Sequence, residues 1–559
     1  MRGTLPPAVL LGLAVACAPP ADSPRSLVLI VIDTLRSDRI GAAGYVPAVT
    51  PTLDSLATNG VRFAQAMSTA PVTCPAVATL LTGRLPFEHG LRDNEYFTLP
   101  QSEVTLAERF RDAGFRTAAV LGSAVLDADR GLDQGFEIYD DAFEGTYPIY
   151  DPSLAATPEL GDTRRRADRV TDLALRAVER FGDDRFFVLA HYFDVHAYYD
   201  PPPAFATLHP ERPYDAEVSF VDAEIGRLLR AVPNDALVVV VSDHGESQGE
   251  HGEPQHGFLV YDCTLRVPFL AAGAGAARGV VRNDPVSLTD VEPSLAEVFG
   301  LRKVDSPRSG RALGFGPGEL PPVDLYAETM RTLVSYGWSE LRAIRRGSTK
   351  VIVGGGVVET YDLNADPDEL RDLGEAAAPV EMLERLEDWT AHDDVEAVVD
   401  ASRHGVDEAR RERLISLGYA SARSESRDRP HPRTALPEWS KFQAGKKALL
   451  AAASRIAGGD FAGAIASADE CLVFMPRNAQ AIYMRGYARQ ALGEAEAARS
   501  DYESAVAFDS THVGALAALA SLDDREGRTD RARRGWEAVL RHDPRNEFAL
   551  RALGRAEGR

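Results

Sequence analysis

The chain has 559 residues, 45 % of them hydrophobic and 26 % charged, and carries a formal net charge of −23. That is the balance of a globular protein in water, too long for one ordinary domain. So large an excess of acid disfavours nucleic acid and anionic lipid surfaces as partners, while a small anionic substrate stays open because a bound metal can dominate the local field.

The first seventeen residues read as an export signal. Arg2 supplies the positive start, and Leu5 to Ala16 is an apolar stretch too short to span a bilayer. Ala14-Val15-Ala16 fits a small-x-small cleavage site, and Leu13 to Cys17 resembles a bacterial lipobox, which makes Cys17 the expected lipidation site. Residues 18–26, rich in Pro, Ala, Ser and Asp, form the expected tether, so the mature protein is placed in the bacterial envelope or periplasm. Cys74, Cys263 and Cys471 are far apart and in no metal-ligand spacing. An exported chain with so few cysteines is not a disulfide scaffold, and these three read as buried small hydrophobes.

Strand and helix signals alternate over residues 27–319. Ser26 to Ile32 is an apolar run ending in Asp33-Thr34. A helix follows Thr50-Pro51 and closes at Asn59-Gly60, and a second apolar helix lies within Thr69 to Arg84. Thr117 to Leu121 is a strand. Arg164 to Phe181 is an amphipathic helix with Val170, Ala174, Ala177 and Phe181 on one face. The strand Phe186 to Ala190 runs into His191-Tyr-Phe-Asp194-Val-His196. Ala216 to Val232 is a helix, Leu237 to Val241 is a buried strand ending in Asp243-His244-Gly245, and Val267 to Ala271 is another strand. Such alternation predicts an α/β fold, a mostly parallel sheet with helices on both faces.

Residues 320–420 change pattern: Leu341 to Ile344, Lys350 to Val353 and Val357 to Leu363 are short strands separated by Gly-rich turns, a small antiparallel subdomain in which Lys350 reads as a solvated residue. Residues 421–437, charged and Pro-containing, read as a linker. In residues 438–559, Gly459, Gly493 and Gly527 recur every 34 residues, as do Ala464, Ala498 and Ala532. A 34-residue, Ala-rich helical period is the tetratricopeptide (TPR) signature, and stacked repeats of this kind grip a protein or polymer partner in a concave groove.

Acidic and imidazole groups at successive strand ends suggest a metal site, since ligands of open α/β sheets bind beyond the carboxyl ends of the strands. Val31-Ile-Asp33-Thr-Leu-Arg-Ser-Asp38, Thr50-Pro-Thr-Leu-Asp54, Leu80-Leu-Thr-Gly-Arg84, Phe193-Asp-Val-His196, Ser242-Asp-His-Gly245, His256-Gly257 and Tyr361-Asp-Leu-Asn-Ala-Asp-Pro367 together resemble the alkaline phosphatase superfamily. The resemblance is to sulfatase-like hydrolases and transferases bearing tetratricopeptide repeats, over about Ser26 to Tyr419. It implies a hydrolase, or a phosphoethanolamine-type transferase, acting on phosphate or sulfate esters.

In the formylglycine sulfatases the nucleophile opens a Cys/Ser-x-Pro-x-Arg motif ten residues before the Gly of Leu-Leu-Thr-Gly. Here that position is Thr73, and the Arg position is Val77, preceded by Ala76. The chain therefore resembles the threonine-nucleophile members, and its apolar Val77 motivates the rival reading of an inactive, repeat-bearing scaffold. The resemblance further implies one metal site from Asp33, Thr73, Asp243 and His244. It assigns Asp194, His196 and His256 to a second metal or to the substrate's anionic oxygens, and Asn94 to an oxyanion contact. One or two divalent ions are expected, and an imidazole ligand favours zinc or manganese over calcium. Glu246 and His251 are expected to support the metal ligands, and His89 to be structural.

Overall fold

Runs of β-branched and aliphatic residues form the centre of the sheet. β1 (Ser26–Ile32) sends Leu27, Leu29 and Val31 into one apolar cluster and Val28, Ile30 and Ile32 into another, the period of two that a strand buried on both faces requires. β6 (Ala236–Val241) does the same, with Leu237, Val239 and Val241 on the first face and Val238 and Val240 on the second. Each fully buried Val, Leu or Ile contributes about 1.5–3 kcal/mol to the folded state. This architecture belongs to a computed structural model that describes residues 24–143, 164–404 and 429–554, apart from residues 198, 254, 306, 392, 437, 438 and 545. Cys17 and the whole signal segment lie outside the described residues.

The remaining strands of this sheet are β2 (Gly60–Met67), β3 (Arg116–Val120), β4 (Ile138–Asp140), β5 (Phe186–Tyr192), β7 (Arg266–Gly273) and β8 (Val280–Ser287). Their order is β4-β3-β5-β1-β6-β7-β2-β8. All pairings are parallel except the two made by β7, so the mostly parallel sheet expected from the sequence is what forms. On one face packs α1 (Thr73–Thr82), whose residues are all buried. The other face is covered by α2 (Ala167–Phe181) and α3 (Pro213–Leu229). β2 and β8 were not anticipated, because Arg62 and Gln65 interrupt the first and Arg282, Asn283, Asp284 and Pro285 the second.

A second, antiparallel sheet runs β12-β11-β10-β9, with β9 (Asp324–Thr329), β10 (Leu341–Arg346), β11 (Thr349–Gly354) and β12 (Val357–Asp362). Its apolar side packs on Phe258 to Tyr261 and Leu265, the segment that follows His256. Lys350 corrects the expectation of a solvated residue. Its ammonium is wholly buried, 2.9 Å from Asp262 Oδ1 and 2.8 Å from Glu369 Oε1. Burial works against that charge, but the two carboxylates outweigh it and hold the Lys350 pKa above its ordinary value.

The C-terminal region is all helical, from Trp439–Ala457 to Glu547–Ala552, and successive helices pack on one another. Gly459, Gly493 and Gly527 take left-handed φ values of 76°, 86° and 72° at the turns between helices. Ala464, Ala498 and Ala532 are buried, and a Cβ at Gly486 would meet the Tyr502 ring at 2.8 Å. The 34-residue period thus falls on tight turns and close helix contacts.

Candidate active site

At the carboxyl end of β1 the chain passes from Ile32 into Asp33, whose carboxylate is fully buried. The next residue, Thr34, holds φ at 58°, a costly conformation for a β-branched side chain. It is pinned there by four contacts. Its backbone N–H donates to Asp243 Oδ1 at 3.2 Å, its hydroxyl donates to the Asp33 carbonyl at 2.7 Å, its carbonyl accepts from the Tyr214 hydroxyl at 2.9 Å, and the N–H of Leu35 donates to Ser242 Oγ at 2.9 Å. The turn after β1 is thereby locked to the turn after β6.

Asp243 and His244 follow β6 after Ser242. Gly245 lets the chain pass close to the 263–264 backbone: a Cβ there would lie 2.3 Å from the Cys263 carbonyl oxygen, while its N–H donates to Thr264 O at 2.7 Å. His244 Nδ1 faces the Gly245 carbonyl at 3.0 Å. A carbonyl only accepts, so Nδ1 carries the proton and Nε2 offers its lone pair. That Nε2 lies 3.4 Å from Thr73 Oγ1 and 3.5 Å from Asp243 Oδ2. Thr73 sits at the first turn of α1, its hydroxyl also 3.4 Å from Asp33 Oδ2. The four residues expected to form one site, Asp33, Thr73, Asp243 and His244, are therefore side by side.

His191, near the end of β5 and paired in register with Val31, completes the group. In the stretch from His191 to His196, the expected site residues are the later members, Asp194 and His196. Asp33, His191 and Asp243 each bring an atom within 4.8 Å of the others, the one such group among the described residues. Asp33 Oδ1, Asp243 Oδ2 and both ring nitrogens of His191 are buried without a hydrogen-bond partner. Burial, and after it the Asp243 carboxylate, push the Asp33 pKa well up, and burial takes the His191 imidazole down to about 4. Two buried carboxylates and an imidazole with unmet lone pairs fit a divalent cation, and the nitrogen fits zinc or manganese better than calcium.

The other imidazoles line up beside His244. The His256 ring centroid is 4.4 Å from that of His244 and 4.9 Å from that of His196, which stacks on Phe193 at 4.4 Å. His256 Nδ1 lies 3.2 Å from Glu246 Oε1, so Glu246 does support a site histidine, whereas His251 turns away and stacks on Tyr261 at 3.8 Å. Asp194 is not brought to this row. Its carboxylate accepts from the backbone of Ala167 at the start of α2, and burial raises its pKa to about 7. The turn after β5 breaks the strand's alternation, so Asp194 and His196 face different surroundings.

Asn94 Oδ1 accepts from the N–H of Cys74 at 2.8 Å, which orients the amide and leaves Nδ2 as a buried donor without a partner next to the first turn of α1. Ala76 and Val77 are buried in the apolar cluster, so no cation of α1 reaches the site. His89 is structural as expected, with Nε2 3.2 Å from Thr79 Oγ1 and Nδ1 accepting from Leu91 N at 3.2 Å.

Residues 25–301 match the family model for sulfatases. An ulvan-active sulfatase of Formosa agariphila is 30% identical over 327 residues, 50% of this chain and 62% of that protein, so the chain spans under two thirds of this relative. A choline-sulfatase of Rhizobium meliloti is 26% identical over 465 residues, 68% of this chain and 88% of that one. Among solved structures, BT4656 in complex with its substrate D-glucosamine-2-N,6-O-disulfate superposes with a TM-score of 0.55 at 17% identity, covering 68% of this chain and 100% of that one. The phosphonate monoester hydrolase of Agrobacterium radiobacter does so with a TM-score of 0.51 at 18% identity, covering 71% and 95%. These two structures establish the fold, and the sequence matches are to sulfatases.

Proposed function

We propose that the chain, whose residues 25–301 match the family model for sulfatases, is a metal-dependent hydrolase or transferase of sulfate or phosphate esters in which Thr73 is the attacking group. The observation that carries this reading is the Thr73 hydroxyl held 3.4 Å from both Asp33 Oδ2 and His244 Nε2 at a helix N-terminus. Asp33, His191 and Asp243 would hold the cation, which supplies Lewis-acid polarisation of the ester oxygens and favours ionisation of the hydroxyl.

Thr73 Oγ1 forms the new bond to sulfur or phosphorus as its proton passes toward His244 Nε2, and the ester oxygen departs. Thr73 stands at the N-terminal end of α1, whose dipole favours the developing negative charge. Asn94 Nδ2 donates to a transferring oxygen, and His196 and His256 contact the remaining oxygens, with Glu246 orienting His256. The inactive-scaffold alternative is not favoured, because a decayed site would not keep so many buried polar atoms unmet. Export with a lipid anchor at Cys17, and tetratricopeptide repeats that hold a protein or polymer partner, complete the proposal on the sequence pattern.

The test loads the full protein with zinc or manganese and compares an aryl sulfate, an aryl phosphodiester, an aryl phosphonate monoester and an aryl phosphomonoester. Thr73→Ala is expected to lower kcat about 10³-fold or more on the ester that is turned over, with KM little changed. Unaltered turnover in that variant would overturn Thr73 as the nucleophile.

A further inference from the structure

Residues 429–436, at the end of the expected linker, do not hang free of the antiparallel subdomain. Ser339 N–H donates to the Pro430 carbonyl at 3.0 Å, and Gly355, with φ +55°, lets His431 approach so closely that a Cβ there would lie 3.2 Å from His431 Cα. Both anchors lead to Glu359 on β12, a carboxylate only 1 % exposed. Arg433 Nη1 lies 3.1 Å from Glu359 Oε2, and His431 Nε2 lies 3.8 Å from Oε1.

The same Glu359 oxygen accepts from the Tyr261 hydroxyl at 2.6 Å and the Tyr361 hydroxyl at 2.5 Å. Tyr261 borders the site. Its ring stacks on His251, its carbonyl accepts from Thr264 N–H at 3.0 Å, and the Thr264 carbonyl accepts from Gly245 next to His244. Within this wall the Glu253 carboxylate accepts from Phe258 N at 2.7 Å and Leu259 N at 3.0 Å.

We infer that Glu359 is a positioning residue that joins the lead-in of the helical repeats to the 246–261 wall of the candidate active site. It satisfies the Tyr261 hydroxyl on the site side and the Arg433 guanidinium on the repeat side. A load on the repeats that shifts residues 429–436 therefore changes the order of the wall that carries Glu246 and His256. The inference rests on reading that wall as part of the ester site.

Deuterium exchange on the full chain tests it without any turnover assay, so its failure is distinct from failure of the Thr73 proposal. Arg433 is 47% exposed, so Arg433→Ala is expected to fold. It should speed exchange of the 246–261 amides about fivefold, leave β6 unchanged, and be largely rescued by Arg433→Lys. Unchanged exchange over 246–261, or an equal rise in β6, would overturn the inference.

Discussion

The chain treats two of its buried carboxylate pairs, Asp262 with Glu369 and Asp33 with Asp243, differently. Asp262 and Glu369 close on Lys350 at 2.9 and 2.8 Å, with Arg345 3.7 Å from Asp262. Burial pushes both carboxyls up; the cations outweigh it at Asp262 and hold its pKa below the ordinary value, while burial keeps Glu369 raised, at about 7. Asp33 and Asp243 are as deeply buried, but their close partners are His191, His244 and Thr73, and the Asp33 pKa is pushed well up. A charge pair met by the chain's own cation is structure. A pair left unmet is a demand for a cation from outside.

The largest effect should come from breaking the satisfied pair. Lys350→Met strips the cation from two buried carboxylates and is expected to lower unfolding stability by about 3–5 kcal/mol in urea titration. Next is chelation of the metal-loaded protein. Removing an ion present at about a hundred times its Kd costs about 2.7 kcal/mol, read as a drop in Tm that Lys350→Met should not abolish. Third, Asp243→Asn should stabilise the metal-free protein by about 1 kcal/mol, because it relieves the unmet pair, whereas Asp262→Asn should destabilise it. The opposite signs, measured by calorimetry without metal, are the comparison in its sharpest form.

The smallest effect is expected at a buried imidazole. His89 has partners on both ring nitrogens, and burial lowers its pKa to about 3. Its folded-state value lies below the unfolded value of about 6.5, so its neutral-state stabilisation is present above pH 6.5 and is lost as pH falls toward 3. By pH 6.0 the loss is about 0.8 kcal/mol, and His89→Gln should flatten that part of the stability–pH curve.

Much of this was legible in the sequence, for physical reasons. β1 and β6 are buried on both faces, so they read as unbroken apolar runs, and Asp33 and Asp243 stand out because they end those runs. The edge strand β8 and its neighbour β2 carry polar residues and gave no such signal. His191 carried no signal of its own because the apolar run ends at Ala190, whereas β5 continues to Tyr192; its place beside Val31 becomes visible only once β5 is paired. Asp194 and His196 are separated by a turn, so the two side chains have different neighbours, Ala167 for the first and Phe193 and His256 for the second. Lys350 was misjudged because its partners, Asp262 and Glu369, come from segments that only the tertiary fold brings to it.

The central claim is that Asp33, His191 and Asp243 hold a transition-metal ion. Its most direct test is metal analysis of the purified full chain with X-ray absorption at the metal edge, for the parent and for His191→Ala. The account predicts about one zinc or manganese per chain with a nitrogen-containing shell, and loss of most of the metal in His191→Ala. A calcium ion in an all-oxygen shell, or metal binding indifferent to His191, would contradict it.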